Sequence, residues 1–344
     1  MYFIGVDHHK QASQMTVLAE DGRELKSGRV PNLRKKVELF LKEYHPFTAV
    51  LEAGRSSYVM ADLLRELGGE VKMANALQVK AIAHARIKTD KRDSRVLAHL
   101  LRADLIPEIY QRGERNRQAQ RILRARAHWV RKQTEIKNKI RALMAQQKEE
   151  IRLEVENRKE GLFSAGGIEC LNRQPVEGPD KMVLDDLLQG YQETQAHIKK
   201  SDGWVRELYG ELEEAARIDT VPGFGTTFSV LVAVEIADIQ RFSSPAHLHS
   251  YAGVIPSTHA SGERSYHGRI TKQGSRWLRW AAVEAVYPAI QKDLGLRVLY
   301  NRLAQRKGPN AAKIAVARRL LTIIYRIMTE KRTYIPDMMN RSAA

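Results

Sequence analysis

An α/β domain followed by an all-α remainder is the fold class this sequence predicts, and three observations carry it. Two apolar runs, Tyr2-Phe3-Ile4-Gly5-Val6 and Thr48-Ala49-Val50-Leu51, each stop on an acid, Asp7 and Glu52, as buried strands do at the crevice end of an α/β sheet. Strand-like and helix-like patterns alternate up to about residue 105. Farther on, apolar residues recur at every seventh position through two long stretches, which only helices satisfy.

The first strand, over residues 2–7, leads to Met15–Leu18, the turn Glu20-Asp21-Gly22-Arg23, and Glu24–Val30, an antiparallel meander. A helix near Leu33–Tyr44, the strand ending at Glu52, a helix near Ser57–Leu67 and a strand around Val71–Ala74 complete the sheet. Three antiparallel strands leading into alternating helices and strands is the order of a ribonuclease-H-like (RuvC-like) fold. In Lys88-Thr89-Asp90-Lys91-Arg92-Asp93, followed by Val96, Leu97, Leu100 and Leu101, the spacing is helical and puts Asp90 and Asp93 on one face.

A long helix over roughly 115–155 carries Ile122, Trp129, Ile136 and Leu143, and a second over 181–217 carries Leu184, Tyr191, Ile198, Val205 and Leu212. The loop between them holds Gly161, Gly166, Gly167, Pro175, Gly178 and Pro179, so the pair predicts an antiparallel coiled-coil hairpin. Its seams are buried by intrachain pairing or by oligomerisation. Ile218-Asp219-Thr220-Val221-Pro222-Gly223-Phe224-Gly225-Thr226-Thr227 has the form of a helix-hairpin-helix turn, with Gly223 and Gly225 letting backbone amides approach a phosphate. The alternative is an ordinary helix-helix turn. The expected domains are therefore residues 1–110, 111–217 and 218–344.

Composition narrows the function. The 344 residues are 43% hydrophobic, and no apolar run reaches the roughly 18 residues of a membrane span. One cysteine, Cys170, excludes an intrachain disulfide and a multi-cysteine zinc site, and points to a reducing cytoplasm. It stands in the Gly/Pro-rich loop without an adjacent histidine, which argues against a nucleophile. The net charge of +17 implies a polyanionic partner. That charge is segregated: residues 111–145 carry 11 basic and 2 acidic side chains, residues 146–260 carry 11 and 19, and residues 261–332 carry 16 and 4. Arg121, Arg124, Arg131 and Lys132 of the first long helix are candidate phosphate contacts.

Asp7, Glu52, Asp90 and Asp93 together form a candidate divalent-metal site, since Mg²⁺ takes oxygen ligands and keeps several waters. Each acid by itself also reads as a turn or cap residue. His8 and His9 point to opposite faces of an extended segment, so at most one reaches the site, and solvated or sheet-packing roles are expected of them. A second candidate is Gly253 to Arg279, which mixes hydroxyls, glycines and cations. Ser261, beside the small Gly262, is the preferred nucleophile, with Ser257, Ser265 and Tyr266 as close competitors. Arg264, Arg269, Lys272, Arg276 and Arg279 are candidate phosphate ligands. A basic loop that only grips phosphates is the plainer reading.

On these residues, the chain resembles the DEDD-type insertion-sequence transposases, a family including Piv-type invertases and bridge-RNA-guided serine recombinases. The matching pieces are Ile4-Gly5-Val6-Asp7, Leu51-Glu52-Ala53-Gly54, Lys88-Thr89-Asp90-Lys91-Arg92-Asp93, Val221-Pro222-Gly223-Phe224-Gly225, and Ser261-Gly262 with Gly268-Arg269-Ile270-Thr271-Lys272-Gln273-Gly274 after it. The resemblance implies Mg²⁺ on Asp7, Glu52, Asp90 and Asp93, and a C-terminal transposase domain supplying Ser261 to a composite site. It also implies donor and target DNA as substrates, a structured noncoding guide RNA, a tetramer built as a dimer of dimers, and a bacterial, nucleoid-associated location. Two alternatives remain: a RuvC-like junction nuclease with water as nucleophile, and a non-catalytic nucleic-acid scaffold. A sugar kinase is disfavoured because Asp7-His8-His9-Lys10 lacks a glycine-rich phosphate loop.

Overall fold

In the computed structural model the described residues are 1–54, 56–82, 89–156, 161–261 and 264–336, with the side chains of 156, 258–261 and 264–267 outside the description. They form two compact units, Met1–Arg112 and Gly113–Ala344.

The first unit runs β1 (Tyr2–His8), β2 (Ala12–Leu18), β3 (Glu24–Pro31), α1 (Arg34–Leu41), β4 (Phe47–Glu52), α2 (Ser57–Glu66), β5 (Glu70–Ala74), α3 (Ala76–Ile82) and α4 (Asp90–Arg102). The sheet order is β3-β2-β1-β4-β5; β1, β2 and β3 pair antiparallel, while β4 joins β1 and β5 in parallel. Strand alternation divides the side chains between two cores. Ile4, Val6, Ala49 and Leu51 face one way and pack with Val37, Leu41, Ala61 and Leu64 of α1 and α2. Val50 and Ala74 face the other way and pack with Leu97, Leu100 and Leu101 of α4. The sheet is therefore covered on both faces, which is why its central strands read as unbroken apolar runs.

Helix α4 begins where its sequence says it should. Thr89 is the N-cap, its hydroxyl accepting from the Arg92 amide at 3.3 Å, and Asp90 and Asp93 occupy the first turn. Acids there complement the helix dipole by about 0.3–1 kcal/mol each, which offsets part of the cost of placing them together.

The second unit contains α5 (Glu114–Met144), α6 (Glu149–Glu156), α7 (Ala165–Arg173), α8 (Gly178–Glu211), α9 (Glu213–Asp219), α10 (Thr226–Ile236), α11 (Pro245–Ala252), β6 (Pro256–Ser261), β7 (Arg264–Ile270), α12 (Arg276–Glu284), α13 (Val286–Lys292), α14 (Leu294–Lys307) and α15 (Pro309–Glu330). Partners along α5 and α8 run in opposite directions: Arg126 pairs with Asp202, Trp129 stacks on His197, Ile136 faces Gly190, and Gln147 bonds to Asp180. The two helices are therefore antiparallel.

Three expectations change. The helices expected over 115–155 and 181–217 each break into two, at residues 145–148 and at Leu212, because the chain must turn to close a core at each end. At the tip, Ile140, Met144, Ile151, Leu171, Val176, Leu184 and Leu188 pack together. Cys170 is buried in α7 rather than standing in a loop. At the base, Ala119, Leu123 and Val205 share one core with α9 to α15, so the hairpin is not separable from the region after residue 218.

Helix α10 is the axis of that core. It is apolar on every side, and Ser229 through Ile236 are all buried, as a helix without a polar face must be. Its single acid, Glu235, is 2% exposed and is compensated: Arg124 and Gln120 of α5 donate to Oε1, and Ser275 donates to Oε2 at 2.7 Å. Arg124 also lies over the Trp277 ring at 4.0 Å.

Candidate active site

The sheet delivers the acids to one place. Val6 of β1 pairs with Leu51 of β4, and the next residue in each strand is the acid, Asp7 or Glu52. Side chains two apart share a face, so Asp7 lies on the Gly5 side and Glu52 on the Val50 side, both toward α4. The close approach of α4 depends on Gly5: a Cβ there would sit 1.9 Å from the Ser94 carbonyl oxygen and 2.5 Å from the Ala98 nitrogen. With the helix pressed this near, its first turn meets the end of β1. Donor atoms of Asp7, His9 and Asp90 all lie within 4.8 Å of one another. Asp93 and Glu52 are outside that group, although the charge of Asp93 is felt at Asp7.

His9 is the residue that sequence reasoning undervalued. Its Nε2 is 3.2 Å from Asp7 Oδ2 and 3.3 Å from Asp90 Oδ2. The Asn32 amide donates to its backbone carbonyl at 2.7 Å, fixing the segment after β1. His8 turns the other way, as alternation requires. Ser13 gives its hydroxyl proton to Asn32 Oδ1 at 2.7 Å, so His8 Nδ1–H is the donor to Ser13 at 2.9 Å, leaving Nε2 to accept from Ser56 at 3.0 Å. Burial and the neighbouring His9 push the proton affinity of His8 down, in keeping with a neutral, structural ring. The usable signal is the alternation that returns His9, two residues after Asp7, to the face of the acids.

The electrostatics favour a cation. Burial raises the pKa of Asp7 above its ordinary value; Asp90 and Asp93 push the same way, and His9 opposes them. A half-buried carboxylate held near a second one is costly when ionised, and a divalent ion relieves that cost. Oxygen donors from Asp7 and Asp90 suit a hard cation.

In the second unit, the stretch expected to be a basic loop is a β-hairpin, β6 paired antiparallel with β7. Ser261 and Arg264 are paired in its ladder; their side chains, with those of Ser265 and Tyr266, lie outside the described residues. The segment between β7 and α12 is tightly held. Amides of Thr271, Lys272 and Ser275 donate to the carbonyls of Ile255, Gly253 and Tyr251 at 2.9, 3.1 and 2.7 Å. Gly274, at φ +79°, would put a Cβ 2.1 Å from the Tyr251 oxygen, so only glycine fits.

The candidate phosphate contacts divide by environment. Arg269 is exposed, and Arg276 is stacked over Trp277 at 5.3 Å. Arg279 is turned inward, donating to the Ala252 carbonyl at 2.8 Å. On α5, Arg121 pairs with Glu114 at 2.6 Å, Lys132 with Glu135 at 2.9 Å, and Arg124 with Glu235; Arg131 is exposed. Gly223, at φ +95°, packs against the Ala285 oxygen, 2.3 Å from where a Cβ would lie, whereas Gly225 at the start of α10 has open space beside it.

Known proteins match on this framework. A DEDD transposase model of the IS110 type matches residues 4–148, which hold all four acids and α5. The transposase IS116/IS110/IS902 family model matches residues 215–301, which hold the β6–β7 hairpin. A probable family 20 transposase of Pseudomonas aeruginosa is 25% identical over 97% of this chain and 98% of its own. The transposase for insertion sequence element IS1111A of Coxiella burnetii is 22% identical over 96% and 90%. A pilin gene-inverting protein of Moraxella bovis is 33% identical over 35% of this chain and 38% of its own. The chain belongs to the IS110-type family of DEDD transposases, enzymes of DNA cleavage and rejoining.

Proposed function

We propose that this transposase excises and inserts a mobile element through a composite site, in which the acids of the first unit act with Ser261 of the second. The observation that carries the metal half is the convergence of Asp7, Asp90 and His9 at the end of β1. Asp7 and Asp90, with Glu52 and Asp93, would hold Mg²⁺, which when bound polarises a scissile phosphate and lowers the proton affinity of an attacking hydroxyl. His9 orients the Asp7 and Asp90 carboxylates from the side. Ser261, the last residue of β6, gives its hydroxyl proton to a base and forms an O–P bond as the bond to the leaving strand breaks. The phosphoserine link conserves bond energy for rejoining. Arg264, Arg269, Lys272 and Arg276 position the backbone and offset charge on the equatorial oxygens. Gly225 and Arg131 remain available to phosphates on the same grounds.

The same reading extends to assembly: a dimer of dimers paired through the α5–α8 hairpin, working on donor and target DNA with a structured guide RNA. The basic balance of residues 111–145 and 261–332 supports the polyanion. Trapping the protein on nicked DNA and mapping the adduct tests the serine. Attachment at Ser261 is expected; attachment at Tyr266, or no adduct with cleavage intact in Ser261→Ala, overturns it in favour of a water-using nuclease. Sequencing co-purified nucleic acid tests the guide: one enriched RNA is expected, and random fragments overturn it.

A further inference from the structure

Helices α14 and α15 and His249 of α11 enclose a cleft of about 750 Å³ in the second unit, none of whose lining residues takes part in the proposed catalysis. Over residues 294–330 the two helices carry eight cations and one acid. Arg302, Arg318 and Arg319 line the cleft. No acidic side chain lies within 4 Å of Arg302 or Arg318 among the described residues.

The one carboxylate in the wall, Asp293, is already engaged. Its Oδ1 caps α14 by accepting from the Leu296 amide at 2.7 Å, and its Oδ2 accepts from the Tyr334 hydroxyl. The histidine in the wall is also fixed in role. Thr322 gives its proton to the Arg318 carbonyl at 3.1 Å, so His249 Nε2–H donates to Thr322 at 3.1 Å. Burial and the charge of Arg318 both lower the proton affinity of His249, and burial and Arg326 do the same to Arg319. Arginines thus outnumber the single wall carboxylate, and a bound anion would relieve the crowding of Arg302 and Arg318.

We infer that this cleft is a phosphodiester-binding site, in which Arg302 at the rim and Arg318 deeper in the wall grip the backbone of a nucleic-acid strand. The cleft is too wide for one phosphate alone and admits a short stretch of strand. Guanidinium forks suit non-bridging phosphate oxygens, and the apolar floor of Leu296 and Leu299 accommodates sugar or base. The inference rests on the reading of the chain as a nucleic-acid enzyme and needs no catalysis.

Equilibrium binding of full-length protein to labelled duplex DNA and to labelled single-stranded RNA, across a salt series, tests it. Each of Arg302→Gln and Arg318→Gln should lower affinity several-fold for at least one nucleic acid and reduce the log–log salt slope by roughly 1. The arm that responds identifies the strand. Arg306→Gln, on the same helix outside the cleft, should leave the slope unchanged. Unchanged slopes for both cleft variants on both nucleic acids, with melting temperatures unchanged, overturn the site. So does an equal loss from Arg306→Gln, which would make the effect a general one of helix charge. Because Ser261→Ala should bind with an unaltered slope, failure of the catalytic proposal and failure of this one are separable.

Discussion

Gly5 lies so close beneath Ser94 that no other residue fits between them: a Cβ on Gly5 would stand 1.9 Å from the Ser94 carbonyl oxygen. That contact sets the height of α4 above the sheet, and hence the distance from Asp7 to Asp90. Gly5→Ala is expected to destabilise the first unit by about 2–3 kcal/mol and to abolish DNA cleavage even where the protein still folds. A melting curve and a cleavage assay on the same preparation check both outcomes.

Asp7 couples activity and stability in opposite senses. Its folded pKa is above the ordinary 3.8, so the stability it contributes is full below that value and is lost as pH rises through the raised one. The metal-free first unit should therefore weaken on going from acid toward neutral pH, and Asp7→Asn should remove that weakening while ending cleavage. Denaturant melts with a chelator, repeated with added Mg²⁺, decide it: the ion should stabilise wild type and have little effect on Asp7→Asn.

His9 touches both Asp7 and Asp90 without being an oxygen donor. Replacing it with alanine should weaken divalent-ion binding and cleavage by roughly 10- to 100-fold, the usual cost of an orienting partner. The fold should be unaffected, because the ring is half exposed. His8→Ala, by contrast, should lower the melting temperature modestly and spare metal affinity. Calorimetric titration with Mn²⁺ distinguishes the two variants.

Arg124 has the sequence setting of a phosphate contact, yet it is bound to a buried acid. Arg124→Met should cost about 3–5 kcal/mol by removing the cation paired with the buried Glu235 carboxylate. Pairing it with Glu235→Met should restore much of that loss. A salt slope for DNA binding that drops in Arg124→Met at preserved stability would instead return Arg124 to the nucleic-acid interface.

Much of this architecture is legible from side-chain pattern. Unbroken apolar runs mark β1 and β4, and the alternation of side chains along a strand dictates which face Asp7 and Glu52 take. Heptads at Ile122, Trp129, Ile136 and Leu143 forecast the antiparallel pair. The breaks at residues 145–148 and Leu212 are not legible, since they answer to cores closed at each end by residues distant in sequence. The β6–β7 hairpin is hidden by its composition: Ser257-Thr258-His259-Ala260-Ser261 has no apolar alternation to announce a strand. Buried pairing is equally silent, as nothing near Arg124 in sequence predicts Glu235. For His9, alternation tells where the ring points and not what it meets.

The antiparallel match of α5 and α8 gives the protein a ruler. Each rung, from Arg126 with Asp202 to Ile136 with Gly190, joins one residue of the outgoing helix to one of the return. Inserting or deleting one heptad in both helices at once would move the tip by about 10 Å while every remaining rung kept its partner and the base core stayed as it was. Reach can thus be retuned among descendants of this chain in fixed steps, without renegotiating the fold that carries the chemistry.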